Sequence, residues 1–457
     1  MGSVLDGHDG RAAADVKGPG PQPAMTPEIG QLLGAVWRIE SSRIVATVAR
    51  RVRDLGVAEE LAQEAWVAAM THWPADGVPD KPAAWLMTTA QRRALDWLRH
   101  RQMAAAQEEH LAQDLAAWQL DHTPDFSEQL DARREQAQVG DDLLRLMFTA
   151  CHPVLSPPDR VALCLKVLAG LSTAEIARAY LVSEPTLAQR LVRAKRTLAE
   201  ARVPFELPRG EALAERLAAV LEVVYLIFNE GHTATRGSDW MRPALCDEAL
   251  RLGRMLAQLA PGQAEVWGLL ALMEIQASRL PARLDAQGQP VLLAEQDRRR
   301  WDRLLIRRGL DALARAEALC QAPAGPAPGP YQWQAALAAC HARAARFEDT
   351  DWHHLVALYD QLMACAPSPV VALNRAVAVA MLEGPAAGLA LVAPLAALPA
   401  LQRYPWLQAV RGDLLEKLGR HEEARAAFLA AAELSGNEAE QAAMRRRAAG
   451  DGAPAAR

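Results

Sequence analysis

Apolar residues recur at helical spacing along most of the chain. No run alternates polar with apolar residues over the length of a strand, and short Pro- or Gly-containing turns separate the helical stretches. Ala and Leu are abundant, 51% of residues are hydrophobic and only 5% are aromatic. This pattern predicts an all-α protein with enough apolar residues to bury sizeable cores.

The clearest local pattern is a pair of short helices between Leu171 and Leu198. Ser172 followed by Glu175 forms a capping box that predicts the start of the first helix. Ser183 is the expected cap of the second, with Pro185 in its first turn. The apolar positions of the second helix share one face: Leu187, Leu191, Ala194 and Leu198. The spacing predicts a helix-turn-helix.

The opposite face of the second helix is polar and basic. It carries Gln189, Arg193 and Arg196, with Arg190 at the flank, and such a face suits the major groove of DNA. The net charge of −5 confines any nucleic-acid contact to a local patch. A solvated helix of an ordinary bundle is the alternative.

Two helices nearer the N-terminus are also charged on one side. The segment DLGVAEELAQEAW has an acidic and amide face of Glu60, Gln63 and Glu64. The segment AWLMTTAQRRALDWLR ends in basic residues with Trp97 among them, a combination that can hold a nucleic-acid backbone and stack unpaired bases. Taken alone, solvated charges over an apolar core explain each helix equally well.

A tetratricopeptide-like spacing of small and aromatic residues lies near the C-terminus. It consists of Gly412, Gly419, Ala424, Phe428 and Ala431. A step of 34 residues back gives Ala378, Pro385, Ala390, Pro394 and Ala397, which predicts a weaker second repeat. Such hairpins stack into a curved surface that usually binds protein.

These patterns divide the chain into six segments. We expect a disordered tail (1–28), a first helical unit (29–101), a linker (102–139), a helix-turn-helix unit (140–207), a tetratricopeptide-like extension (208–435) and a C-terminal helix or tail (436–457).

Several site classes are not favoured by the sequence. The six cysteines lack CxxC spacing and are expected to be free thiols. His353 and His354 beside Asp351 point apart on a helix, so no metal, cofactor or catalytic site is expected. With no signal peptide and no long apolar span, the protein is expected to be soluble and cytoplasmic, without a membrane partner.

Together the motifs resemble the extracytoplasmic-function (group IV, sigma-70 family) sigma factors of bacterial RNA polymerase, in the subgroup with a large tetratricopeptide-like C-terminal extension. The resemblance covers about residues 36–435 and includes LRLMFTACHPVLSPPDRVALCLKVLAGLSTAEIARAYLVSEPTLAQRLVRAKRTL, VYLIFNEGH and GPYQWQAALAACHA. It makes 29–101 a sigma region 2 domain and 140–207 a region 4 domain.

The resemblance also implies roles for individual residues. Contact with the β′ coiled coil of core polymerase is assigned to Asp54, Glu60, Gln63 and Glu64. The −10 promoter element is assigned to Arg92, Arg93, Asp96, Trp97 and Arg99. The −35 element is assigned to Ser183, Glu184, Thr186, Gln189, Arg190, Val192, Arg193, Lys195 and Arg196, with the β flap as a second partner.

Some positions depart from the family pattern. Pro185 and Ala188 leave few polar side chains at the start of the recognition helix, so reading of DNA shape gains weight. Asn229, Glu230 and His232 suggest either a small polar site or, more simply, a satisfied structural network.

The extension is expected to regulate the factor by packing its concave surface on the first unit or the linker. The alternative functions are a helix-turn-helix repressor with a ligand-binding C-terminal domain and, less favoured, an enzyme in the extension.

Overall fold

A computed structural model of the chain describes residues 26–108 and 140–450. The described residues form helices and connecting turns without a strand, which confirms the all-α prediction. Residues 1–25 of the expected tail (1–28) and residues 109–139 of the expected linker (102–139) lie outside the described residues. The tail was predicted too long, because Pro27 and Glu28 already belong to the first helix.

Eighteen α-helices follow one another in the described part of the chain. The first seven are α1 (Pro27–Val52), α2 (Leu55–Asp76), α3 (Pro82–Glu108), α4 (140–150), α5 (Pro157–Val167), α6 (Thr173–Ala179) and α7 (Glu184–Glu200). The next six are α8 (Glu211–His232), α9 (Pro243–Leu259), α10 (Ala264–Ala277), α11 (Arg303–Gln321), α12 (Pro330–Arg343) and α13 (Trp352–Cys365). The last five are α14 (Pro369–Glu383), α15 (Pro385–Leu395), α16 (Pro405–Lys417), α17 (His421–Leu434) and α18 (Glu438–Ala449).

The first unit is a three-helix bundle of α1, α2 and α3. Arg53, at a left-handed φ of 55°, ends α1, and the Asp54 carboxylate then accepts a hydrogen bond from the Val57 N–H at 3.0 Å. Trp73, Leu86 and small alanines fill the core. Helix α3 continues to Glu108, so it includes the first seven residues of the expected linker.

The second unit contains α4 to α7, and its local signals act as the sequence predicts. The capping box of Ser172 and Glu175 is present at the start of α6. The Ser183 hydroxyl accepts from the Thr186 N–H at the start of α7. The apolar face of α7 is buried, as predicted.

The extension winds α8 to α18 into a series of helical hairpins that returns to its own beginning. Asn437, just before α18, donates hydrogen bonds to the carbonyl oxygens of Ala234 and Asp239, which lie after α8. Trp240 donates to Glu440 of α18 across the same junction. The segment expected as a separate C-terminal helix or tail therefore closes the extension.

The repeat within the extension has a longer period than predicted. Gly412 of α16 lies against Phe428 of α17, where an added Cβ would be 2.8 Å from the ring. The preceding hairpin is formed by α14 and α15, which begin 36 residues before α16 and α17, and its close contact joins Gly388 of α15 to Ala376 and Ala380 of α14. The predicted step of 34 residues is wrong, and three of its positions are exposed: Ala390, Pro394 and Ala397.

Buried apolar side chains of the first unit, the second unit and helices α8 to α10 form one continuous cluster. It contains Leu146, Leu163 and Leu165 of the second unit together with Val224 and Leu252 of the extension. The DNA-reading candidate unit and the start of the extension therefore share a core.

Candidate nucleic-acid and polymerase interface

Helix α7 presents a solvent-exposed face made of the predicted recognition residues. Exposed on it are Ser183, Glu184, Thr186, Gln189, Val192, Arg193 and Arg196. Val192 is 62% exposed, which is unusual for a large apolar side chain and suits contact with a thymine methyl group. Pro185 and Ala188 lie on the same face and add no hydrogen-bonding group.

Carboxylates already hold several of the α7 cations. Asp159 of α5 lies 3.3 Å from the guanidinium of Arg193 and 3.6 Å from that of Arg190. Arg196 pairs with Glu200 one turn along its own helix. These pairs keep the basic side chains ordered, and phosphate oxygens can replace the carboxylates as partners.

Lys195 projects away from the exposed face of α7 and towards α2. Its ammonium nitrogen lies 3.0 Å from Glu59, whose other oxygen is 3.8 Å from Lys166 of α5. The Glu59 side chain is only 8% exposed. The assignment of Lys195 to DNA stays a prediction, and it requires this lysine to leave Glu59.

The outer face of α2 carries the predicted polymerase contacts. Glu60, Gln63 and Glu64 are all exposed there. Val67 and Met70 extend the same face with exposed apolar surface, and sequence reasoning missed both. The available signal was their helical spacing, since Val67 lies four residues after Gln63 and Met70 lies seven residues after it. Asp54, the fourth candidate, is the side-chain cap of α2.

The candidate −10 residues occupy the exposed side of α3. Arg92 and Arg99 are exposed, and Arg99 pairs with Asp96 at 3.3 Å. Trp97 is half-buried under the Arg101 guanidinium, 5.2 Å from the ring centroid. Arg93 is paired with Glu64 at 2.6 Å, so a −10 candidate and a polymerase candidate are partners in this structure.

Polar contacts also join the first and second units away from Glu59. Arg50 of α1 lies 3.1 Å from Asp142 of α4, and Arg38 lies 3.4 Å from Glu175 of α6. Burial raises the pKa of Asp142, although the charges of Arg50 and Arg145 oppose the shift. The two units are therefore in direct contact on several sides.

Two arginines of the extension bind the C-terminal ends of second-unit helices. Arg216 of α8 donates to the Phe148 carbonyl oxygen near the end of α4 at 2.7 Å. Arg251 of α9 donates to the Leu168 carbonyl oxygen at the end of α5 at 2.6 Å. The carbonyls at a helix C-terminus lack intrahelical partners and carry partial negative charge, so each arginine is well placed.

Further contacts bring the extension to the turn of the helix-turn-helix. Arg160 of α5 pairs with Glu222 of α8 at 2.9 Å. At the turn between α6 and α7, Leu181 lies against Gly237, where an added Cβ would be 2.6 Å from the leucine. Gly237 has φ of 94°, so any other residue there meets both backbone strain and a clash.

Two of the polar residues singled out at the end of α8, Glu230 and His232, belong to a hydrogen-bonded network, whereas Asn229 is exposed. Glu230 pairs with Arg242 and accepts from Thr235. His232 Nε2 lies 2.8 Å from Arg283, and its ring stacks on Phe228. These contacts favour a structural network over a small polar binding site at the end of α8.

Family comparisons agree with this arrangement of units. Residues 38–103 match the family model for sigma-70 region 2, and residues 145–198 match that for sigma-70 region 4. Residues 216–317 match DUF6596, a family of unknown function.

Curated relatives fall into two groups. An uncharacterized protein of Rhizobium meliloti (strain 1021) is 45% identical over 397 residues, which cover 87% of this chain and 90% of that protein. The probable ECF RNA polymerase sigma factor SigI of Mycobacterium tuberculosis (strain CDC 1551 / Oshkosh) is 30% identical over 37% of this chain and 56% of its own length. ECF RNA polymerase sigma factor SigK of Mycobacterium ulcerans (strain Agy99) is 29% identical over 34% of this chain and 78% of its own length.

The chain belongs to the extracytoplasmic-function sigma factors. It carries a helical C-terminal extension beyond the two sigma domains, and its function lies in transcription initiation. A self-standing repressor is not favoured by these matches.

No helix among residues 26–108 and 140–450 is long and apolar enough to cross a membrane. In the same residues no group of three or more His, Cys, Asp or Glu side chains is arranged to hold a metal ion.

Proposed function

We propose that this sigma factor binds core RNA polymerase through the outer face of α2 and places α3 and α7 on the two promoter elements. The acidic residues of α2, flanked by Val67 and Met70, offer a charged and apolar surface for the β′ coiled coil. Helix α7 offers Gln189, Val192 and Arg193 to the −35 duplex, and the second unit would also contact the β flap. The protein would act in the cytoplasm, as a binding protein rather than an enzyme.

The observation that carries the proposal is the pairing of two exposed faces with opposite chemistry on neighbouring helices. The face on α2 is acidic and amide-bearing, as suits a protein partner. The face on α7 is basic and amide-bearing at the end of a well-capped helix, as suits DNA. A free DNA-binding repressor has no use for the α2 face.

We further propose that the described arrangement is a closed resting form. Elements named for positions −10 and −35 lie roughly 25 base pairs apart, which is about 85 Å along a duplex. The α2 and α7 helices touch, since an added Cβ at Gly56 would lie 3.9 Å from the Lys195 Cβ. Units in contact cannot reach both elements, so promoter binding requires them to separate.

The extension would hold the helix-turn-helix unit in this resting form. The arginine–carbonyl bonds of Arg216 and Arg251, together with the shared apolar core, tie that unit to α8 and α9. The polar contacts made by Glu59, Arg50 and Arg38 of the first unit then hold that unit against it. Core polymerase would open the molecule by binding α2 more tightly than the second unit does.

Adjacent glutamates on α2 allow a matched test of the closed form. Glu59→Gln removes the charge that holds Lys195 and Lys166, so we expect three- to tenfold more transcription at limiting core polymerase, corresponding to about 1 kcal/mol. Glu60→Gln alters only the exposed face, so we expect weaker binding to core and less transcription. Transcription in vitro from promoters selected out of a genomic library measures both.

Two outcomes would contradict the proposal. Equal effects of the two substitutions would mean that Glu59 and Glu60 do not have separate roles. A shift of promoter DNA by the free protein, unchanged on addition of core polymerase, would instead support a repressor.

A further inference from the structure

The closed extension surrounds a cavity of about 670 Å³. Its walls come from α13, α14, α16 and α18, with the end of α12 and the segment 285–295 completing them. A space of this size holds a small molecule and is too small for a folded protein. The exposed side chains of Asn374, Lys417 and Arg446 mark its opening to solvent.

The cavity walls are unusually aromatic for a chain with only 5% aromatic residues. Five rings line them: Trp240, Phe347, Trp352, Tyr359 and Trp406. Leu355, Met381 and Met444 fill much of the remaining wall. Aromatic and thioether side chains with a few polar groups are typical of small-molecule sites.

Among the described residues, Glu440 is the one buried carboxylate of the wall that is not matched by a cation; Asp285 and Glu295 also lack a paired cation, but both are exposed. Asp413 is paired with Lys417 at 2.8 Å and with Arg447 at 2.9 Å, so that cluster is balanced. Glu440 is 8% exposed and accepts from Ser435 and Trp240, but within the described chain no Lys, Arg or His nitrogen lies within 4.0 Å of it.

The environment of Glu440 disfavours its negative charge. Burial raises the pKa of this carboxyl group, although the hydrogen bonds from Ser435 and Trp240 and the charge of Arg283 oppose the shift. Arg283 itself is engaged over the Trp240 ring, 4.4 Å from its centroid, and with His232. A cation placed in the cavity would stabilise the ionised carboxylate.

We infer that the extension binds a small organic amine in this cavity, with the apolar body of the ligand against the aromatic walls and its ammonium group at Glu440. The carboxylate and the π faces of the tryptophans attract the same sign of charge, so both select a cation. A neutral ligand loses the ion pair, and an anionic one is repelled by Glu440.

Occupancy of the cavity has a direct route to the DNA-reading unit. Trp240 lies in the segment after α8, three residues beyond Gly237, which abuts Leu181 in the turn of the helix-turn-helix. A ligand against Trp240 therefore acts on the contact between extension and second unit. This regulatory role rests on the proposed function, whereas binding itself does not.

Three indoles of similar size and different charge test the inference on the full-length chain without polymerase. In titration calorimetry, tryptamine is expected to bind one to one, 3-methylindole at least tenfold more weakly, and indole-3-propionate more weakly still. Glu440→Gln should weaken tryptamine binding at least tenfold and leave 3-methylindole unchanged. Glu433→Gln, on the exposed side of α17, is the matched control and should bind as the native chain does.

The inference is overturned if tryptamine does not saturate a single site, or if indole-3-propionate binds as tightly. The comparison of the three compounds on the native chain needs no variant, so a folding defect in Glu440→Gln does not obscure it. Because polymerase and DNA are absent, failure here leaves the sigma-factor proposal standing.

Discussion

Burial keeps several histidines of this protein neutral. It lowers the pKa of His152 and His341 to about 4 and lowers that of His232 well below its usual range. Nearby guanidinium groups add to each shift, with Arg279 and Arg298 acting on His341. The Trp352 ring packs edge-on against His341, and the Nδ1 atom of the imidazole is buried. These residues make the folded protein sensitive to acid.

His341→Gln should flatten the dependence of stability on pH. A histidine whose pKa is lower when folded stabilises the protein fully above its unfolded pKa, near 6.5, and this contribution is lost as pH falls towards the folded value of about 4. The native chain should therefore lose up to roughly 3 kcal/mol more than the variant between pH 7 and pH 4.

Thermal melting measured across that pH range checks the prediction. His353→Gln, on the exposed side of α13, is the control and should follow the native profile. Parallel profiles for the native chain and His341→Gln would show that His341 is not held neutral by its surroundings.

At the scale of the element, close contacts between small residues set the geometry of the C-terminal hairpins. Gly412 lets the Phe428 ring of α17 lie directly on the backbone of α16. The aromatic residue then fills the space that two ordinary side chains would otherwise occupy. The preceding hairpin, 36 residues earlier, uses a different small residue for its close contact, because Gly388 of its second helix lies against Ala376 and Ala380 of its first.

Gly412→Val should destabilise the extension by about 1–3 kcal/mol, because the added carbons meet the Phe428 ring at 2.8–3.0 Å. Gly34→Ala is the opposite case: it lies within α1, and nothing is within 4 Å of an added Cβ. Alanine there should stabilise the protein by about 0.5–1 kcal/mol through helix propensity. Calorimetric melting distinguishes the two signs, and a neutral Gly412→Val would refute the close-packing argument.

Local rules predicted the helix-turn-helix well. The caps at Ser172 and Ser183 and the buried face of α7 depend on neighbours within four residues, so the sequence contains the whole signal. The predicted period of the repeat was two residues too short, because small residues are so common in this part of the chain that several periods fit the sequence. The packing of α15 on α14 through Gly388 and Ala376, which the sequence does not show, identifies the correct period.

The contacts between units could not be read from the sequence. Glu59 and Glu60 are adjacent and chemically identical, yet one is buried against Lys195 and the other faces solvent. The family resemblance assigns Lys195 to DNA, whereas its partner in the structure is Glu59, 136 residues away. The cavity likewise depends on the contact between the start of α18 and the segment after α8. No local sequence pattern predicts that contact.

At the scale of the whole molecule, two sigma domains and the start of the extension form one packed body. A continuous apolar cluster runs from α1 to α10. Separation of the first unit would expose part of this apolar surface to water, which costs about 25 cal/mol of free energy for each Å² exposed. Binding to polymerase must offset that cost. The free protein is therefore expected to remain closed and a weak binder of promoter DNA.

A disulfide between α2 and α7 should lock this state. The Cβ positions at Gly56 and Lys195 are 3.9 Å apart, within the range that a disulfide spans. The double variant Gly56→Cys and Lys195→Cys should support no transcription when oxidised and regain it on reduction. Each single variant, insensitive to reductant, is the control. Full activity of the cross-linked protein would show that the units need not separate.

The bonds from Arg216 and Arg251 to backbone carbonyls have an evolutionary consequence. Every residue has a carbonyl group, so these contacts do not depend on which side chains stand at the ends of α4 and α5. Neither bond involves α7, whose exposed side chains we propose as the readers of the promoter. The recognition helix can therefore diverge towards new target genes while the extension keeps its hold on the domain.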